Sequence, residues 1–277
     1  MKITEFGTEN EKTLMLLPGT SCTWEMNFSM LLEPFSQQYH LLCVNYTGFD
    51  GSGEIFTTQT EEVEKLEDYI KAHFGGRLDA VYGSSMGGSF ASLLAQRRQI
   101  HIDHVFIGSS DLDQASPVVA RIETEIMWRI IRSFSKDPDK ALARFRKIAD
   151  AKGMGMNAED SGLDASYMES MMKSYFENVN KIDPRTGKNQ FYSDLVTMLD
   201  DTIDVPGTTI HVFYARQMGD KYLKRYYKHY AHPDIIPFEA GHEGWLGNPK
   251  VMLDTFAKCM KQGEAGTDLR LVNKESS

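Results

Sequence analysis

A doubly wound, mostly parallel α/β sheet interrupted once by an all-helical insertion is the fold class this sequence predicts. Three observations carry it. Short apolar runs alternate with helix-period segments through the first part of the chain. The rhythm lapses from about residue 114 to 205, a stretch that offers helices and no convincing strand. It resumes after Pro206-Gly207 and runs to a closing helix. The expected organisation is a first core segment over 1–113, a helical cap over 114–205, and a second core segment over 206–277 with a C-terminal helix and a polar, mobile tail.

The elements follow in order. Met1–Phe6 can supply no more than a reduced first strand, and Thr13–Leu17 reads as a buried strand ending at Pro18-Gly19. Leu31–Gln38 is a helix. His40–Tyr46 is a strand, closed by the turn-rich Gly48-Phe-Asp-Gly-Ser-Gly53. Thr60–His73 is helical because Val63, Leu66 and Ile70 recur at the helix period. Leu78–Tyr82 and His104–Gly108 are strands on either side of a helix over Met86–Arg97. Helical crossovers between strands make the sheet parallel. The insertion offers helices near Val118–Phe134, Pro138–Lys152, Ala165–Val179 and Gln190–Asp200, with joins at Lys152–Gly155 and Asp183–Gly187. Strands over Thr208–Tyr214 and Asp234–Phe238 and helices over Lys221–His229 and Pro249–Lys261 complete the second core segment.

Composition narrows the class of function. Lys and Arg number 30 against 39 Asp and Glu, a net charge of −9, which opposes nucleic-acid binding because no basic surface displaces counterions. Cys22, Cys43 and Cys259 are scattered, odd in number and without metal-ligand spacing, so they read as reduced thiols of a cytoplasmic protein. No leader-like segment opens the chain and no run reaches the apolar length of a membrane span. A small-molecule substrate, no metal, no cofactor and a monomer or homodimer are the expectations.

The strongest motif is Gly83-Ser-Ser-Met-Gly87, which fits G-x-S-x-G between a strand and a helix. A sharp strand-to-helix turn strains its central residue and crowds the positions two before and two after it. Gly83 and Gly87 satisfy that demand only if Ser85 is central; centring on Ser84 would place Tyr82 and Met86 there. A serine needs a base and an orienting acid. Among eight histidines, His242 in Glu239-Ala-Gly-His-Glu-Gly244 directly follows the last predicted strand, where the order serine, acid, histidine places the base. The acid is Asp220, after Thr208–Tyr214, or else Asp111 or Asp113, after His104–Gly108. The Met86 N–H and that of Thr20, with Ser21 as the alternative, are the candidate oxyanion donors. His101 and His104 form an H-x-x-H without a third ligand or a helix, a poor metal signal.

These residues resemble the α/β-hydrolase superfamily, specifically members with a helical cap inserted after the sixth strand. The resemblance spans about residues 10–262 and rests on Pro18–Thr20, Gly48–Gly53, Gly83–Gly88 and Gly241-His242 in that order. It implies a Ser85–His242–Asp220 triad and a pocket beneath the cap. Esterases and carbon–carbon bond hydrolases share the elbow, whereas epoxide hydrolases and haloalkane dehalogenases have aspartate where this chain has Ser85. Many members have His-Gly where this chain has Pro18-Gly19.

The expected activity is serine-dependent hydrolysis of small or medium apolar carboxylic esters. Thioesters, lactones and carbon–carbon bonds fall within the same chemistry, and a non-catalytic hydrolase-fold receptor is the reading from another class. Seven of the fifteen methionines lie in the insertion (127, 154, 156, 168, 171, 172 and 198). Helix packing accounts for them; so would a pliable apolar pocket, for which Cys22, Trp24, Met127 and Met171 are the candidate lining residues.

Overall fold

The computed structural model describes residues 1–151 and 165–272. Seven strands form one sheet: β1 Lys2–Phe6, β2 Thr13–Leu17, β3 His40–Asn45, β4 Arg77–Gly83, β5 His101–Ile107, β6 Thr209–Ala215 and β7 Asp234–Phe238. Their spatial order is β1-β3-β2-β4-β5-β6-β7. Only β1 runs antiparallel, pairing with β3 from Lys2 opposite Asn45 to Phe6 opposite Leu41. The sheet is therefore the doubly wound, mostly parallel one that the sequence predicts.

Parallel strands covered on both faces are apolar throughout, and here successive side chains divide between two cores. Met15, Leu17, Leu42, Val44, Val81, Val105, Ile107 and Val212 face one way. Helices α2 Gln59–Phe74 and α3 Met86–Arg97 cover that face. Leu14, Leu16, Leu41, Cys43, Tyr82, Phe106 and Phe213 face the other way, beneath α1 Trp24–Ser36 and the closing helix.

Between β5 and β6 the described residues form four helices: α4 Pro117–Ser135, α5 Pro138–Ala151, α6 Ala165–Val179 and α7 Pro184–Val196. Met154 and Met156, with the join expected at 152–155, lie outside the described residues. The last insertion helix starts earlier than the sequence reading placed it. Asp183 caps it by accepting from the Arg185 N–H at 2.8 Å, and Pro184 occupies its first turn, so the Asp-Pro pair starts a helix where it was read as a join. Helix α8 Asp220–His229 links β6 to β7, and α9 Pro249–Val272 closes the chain, continuing past Lys261. No described helix is long and apolar enough to cross a membrane.

Candidate active site

The elbow forms where β4 ends and α3 begins. Ser85 sits between them at φ 51°, ψ −121°, a conformation that L-residues rarely adopt. Its glycine neighbours are sterically required: a Cβ on Gly83 would lie 2.0 Å from the Gly87 carbonyl oxygen, and one on Gly87 would lie 2.1 Å from that of Leu17. The loop after β2 closes over the serine, because a Cβ on Gly19 would stand 3.3 Å from Ser85 Cβ. Asn27 fixes that loop, its Oδ1 accepting from the Gly19 N–H at 2.7 Å.

The candidate oxyanion donors separate on geometry. The Ser21 N–H is already committed, donating to Gln190 Oε1 at 2.7 Å. Neither Met86 nor Thr20 gives its N–H to an acceptor among the described residues. Thr20 is thus the freer of the two loop donors.

Glu243, one residue past His242, is the member that the sequence reading missed. It is 3% exposed, and both of its carboxyl oxygens accept hydrogen bonds. Oε1 takes the N–H of Ser85 at 2.8 Å and that of Ser109 at 2.6 Å, while Oε2 takes the Tyr82 hydroxyl at 2.6 Å. Trp245 Nε1 donates to the same tyrosine oxygen at 2.8 Å. Gly108 makes room, since a Cβ there would fall 2.4 Å from Glu243 Oε1. A Gly-His-Glu-Gly loop gives no periodic signal of burial, so only a pairing of Gly108 with residue 243 could have betrayed it.

His242 is exposed, and the residue after it is bound to the backbone of Ser85. Its described electrostatic partner is Asp111, whose carboxyl it draws downward. Surrounding protein and then Asp113 raise the Asp111 carboxyl above its ordinary value, against the pull of Arg225 and His242. Asp113 is ion-paired with Arg225, which also donates to the Asp111 carbonyl at 2.9 Å.

Asp220, the first-choice acid, has its described contact with Tyr214. It is exposed, opens α8, and takes the Tyr214 hydroxyl at 3.5 Å. A 3₁₀ turn over Arg216–Met218 lengthens the loop after β6 and carries Asp220 into the first turn of the helix, where the dipole favours an acid. There it lines a depression of about 400 Å³ with Tyr214, Arg216, Leu223, Tyr227, Ile235 and Pro237, apart from Ser85 and His242.

A family model described as the α/β hydrolase family matches residues 14–255. The chain belongs to that family. Solved structures of similar shape include an α/β hydrolase family protein from Desulfitobacterium hafniense, with a TM-score of 0.65 at 16% identity, covering 93% of this chain and 98% of that one. MenH from S. aureus gives a TM-score of 0.64 at 13% identity, covering 95% and 98%. An esterase from Exiguobacterium antarcticum gives 0.64 at 14% identity, covering 94% of each chain. At such identities the likeness concerns the fold. No curated protein matches the sequence.

In this α/β hydrolase the helical insertion is docked on the core by side-chain hydrogen bonds. The Phe56 N–H donates to Thr186 Oγ1 at 3.2 Å and the Gln59 N–H to Ser193 Oγ at 2.5 Å. The Ser21 carbonyl accepts from Asn178 Nδ2 at 3.2 Å, so insertion helices hold both backbone groups of Ser21.

The candidate pocket residues divide. Cys22 is buried beside the oxyanion loop and close to Tyr175 of α6; burial pushes its thiol up to about 12, which keeps it protonated. Trp24 turns toward edge strand β1, its ring edge-on to Phe6 at 5.3 Å. Met127 is 44% exposed on α4, with Ile126 and Ile130 exposed beside it. The inner side belongs to Ala120, Thr124, Trp128 and Ile131. The side chain of Met171 lies outside the described residues.

Candidate metal ligands meet elsewhere. His211, Asp234 and Cys259 bring one ligand atom each to within 4.8 Å of one another. Both ring nitrogens of His211 are already partnered, Nδ1 with Asp234 Oδ2 at 2.8 Å and Nε2 with His104 Nδ1 at 3.1 Å. His101 pairs instead with Asp103 at 2.8 Å, because residues three apart in a strand face opposite sides.

Proposed function

We propose that the protein is a serine hydrolase that cleaves carboxylic esters through an acyl-enzyme. The observation that carries the reading is Ser85 in its strained left-handed turn, packed beneath Gly19 and flanked by two glycines that no other residue could replace. A serine held this way presents Oγ outward at the N-terminus of α3, where developing negative charge is favoured.

Ser85 attacks the ester carbonyl while His242 takes its proton. Asp111 is our choice for the acid that steadies the imidazolium, ahead of Asp220, because its carboxyl responds to the charge of His242. The N–H groups of Met86 and Thr20 receive the oxyanion, and losing one such donor costs about 3–4 kcal/mol of transition-state stabilisation. His242 returns its proton to the departing alcohol, and water then releases the acid by the reverse sequence.

Ser85→Ala is expected to abolish turnover of activated esters, and a fluorophosphonate probe to label Ser85, read by peptide mass spectrometry. Retained turnover in the variant, or a label on another residue, refutes the assignment. Asp111→Asn is expected to slow turnover far more than Asp220→Asn, which decides between the two acids.

A further inference from the structure

Buried polar atoms without partners gather where α7 crosses the oxyanion loop. Gln190 Nε2 and Asp194 Oδ1 are buried and have no hydrogen-bond partner among the described residues, and the buried Ser21 Oγ lies by the Tyr175 hydroxyl. Ser21 and Gln190 are each 0% exposed. Such atoms are uncommon in folded chains because each has given up its hydration, and two in one place point to an occupant that supplies the missing bonds.

Their arrangement says where that occupant lies. Gln190 and Asp194 are four residues apart in α7, so they share one face, one turn apart. Gln190 is fixed over the oxyanion loop by its bond from the Ser21 N–H at 2.7 Å. Asp194 reaches the side chain of Ser89, which stands one turn beyond Ser85 in α3, and it lies within electrostatic range of Asp111, Asp113 and Tyr46. The face of α7 thus spans from the oxyanion donors to a point roughly 6 Å deeper along α3.

Charge then selects the chemistry. Around that point stand three carboxyl groups, and the guanidinium beside them, Arg225, is spent on Asp113 and on the Asp111 backbone. His242 faces Asp111. Burial and then Asp111 push the Asp194 carboxyl up to about 7, so a cation beside it would favour the ionised form at neutral pH.

We propose that Asp194 receives an ammonium group of the substrate while Gln190 Nε2 donates to an ester oxygen, which makes the substrate class amine-bearing esters rather than purely apolar ones. This rests on the serine-hydrolase reading of the same site. An ammonium two to three carbons from the scissile carbonyl spans the separation of about one helical turn. A hydrocarbon chain alone would leave Gln190 Nε2 and Asp194 Oδ1 without partners.

The test compares para-nitrophenyl esters of β-alanine, of β-hydroxypropionic acid and of butyric acid, each corrected for spontaneous hydrolysis. In the wild type, kcat/KM for the β-alanine ester should exceed that for the butyrate by at least about tenfold, the increment of a charged hydrogen bond. In Asp194→Asn that ratio should fall at least about tenfold. A wild-type ratio near one, a ratio unchanged in Asp194→Asn, or equal rates for the hydroxyl and ammonium esters overturns the proposal. Calorimetric binding of the same three esters to Ser85→Ala separates this from the catalytic reading. If the wild type hydrolyses none of them, the esterase reading fails, and binding decides alone. Preferential uptake of the β-alanine ester that is lost in Ser85→Ala/Asp194→Asn then supports the ammonium site, and equal uptake of all three refutes it.

Discussion

At the scale of single residues, the site depends as much on what supports Ser85 as on the serine itself. Glu243 ties the backbone of the elbow to the turn after β5 through its two N–H bonds, and Tyr82 and Trp245 extend that chain into the core. Glu243→Gln would keep one oxygen for the Ser85 and Ser109 N–H groups but set an amide NH₂ against the Tyr82 hydroxyl that donates to Oε2, at a cost of about 1–3 kcal/mol for a group left unsatisfied. The expected outcome is a lower midpoint of chemical denaturation together with slower labelling of Ser85 by the fluorophosphonate. Glu243 acts through the elbow, so a variant that loses stability yet labels at the wild-type rate would make it structural only. Ser85 was legible in the sequence because its requirement is local: Gly83 and Gly87 select one serine of two. Glu243 was not, because its partners at Ser85 and Ser109 are distant in sequence and its loop looks like any polar turn. Asp220 is legible by chain order alone: its position after β6 fits the acid, and a three-residue turn sets it at the start of a helix.

At the scale of elements, the strands were readable since each is a short apolar run between turn signals, and helix boundaries were less so. The first helix begins at Trp24, ahead of Leu31, because Thr23 takes the extended conformation of an N-cap. The closing helix shows what an element contributes. Phe256 of α9 is fully buried and stacks on Phe106 at 4.1 Å, with Phe35 at 5.5 Å and Phe213 at 5.7 Å around it. Phe256→Ala removes a ring that joins α1, α9 and the sheet, and a buried Phe-to-Ala change costs about 3–5 kcal/mol. Urea unfolding should show that loss with little change in slope. A change below about 1 kcal/mol would mean that the helix contributes little to this core.

At the scale of the whole molecule, stability responds to pH through one group within the sheet, on β5, and one beside the elbow. His104 is 7% exposed, and burial followed by its neighbour His211 lowers its pKa to about 4. The unfolded chain takes up this proton near pH 6.5, the folded chain only near 4, so His104 favours folding above 6.5 and its contribution is lost as pH falls through that window. Asp194 works in reverse: with its carboxyl raised to about 7, the folded state binds the proton first and gains relative stability as pH falls toward the ordinary carboxylate range. The two slopes oppose each other, so the wild-type profile alone reveals neither. Subtracting the unfolding free energy of His104→Gln from that of the wild type should give a difference that declines between pH 6.5 and about 4; a flat difference would show that His104 does not titrate as its burial demands.

The hold that the insertion keeps on Ser21 has a consequence for anyone who would re-engineer this chain. One helix of the insertion grips the amide of that residue and another grips its carbonyl, and the loop they grip is the one that lies on Ser85. Exchanging the insertion for that of a relative would therefore release the loop over Ser85 as well as replace the helices. A graft here must bring its own counterparts of Asn178 and Gln190 to keep that loop in place.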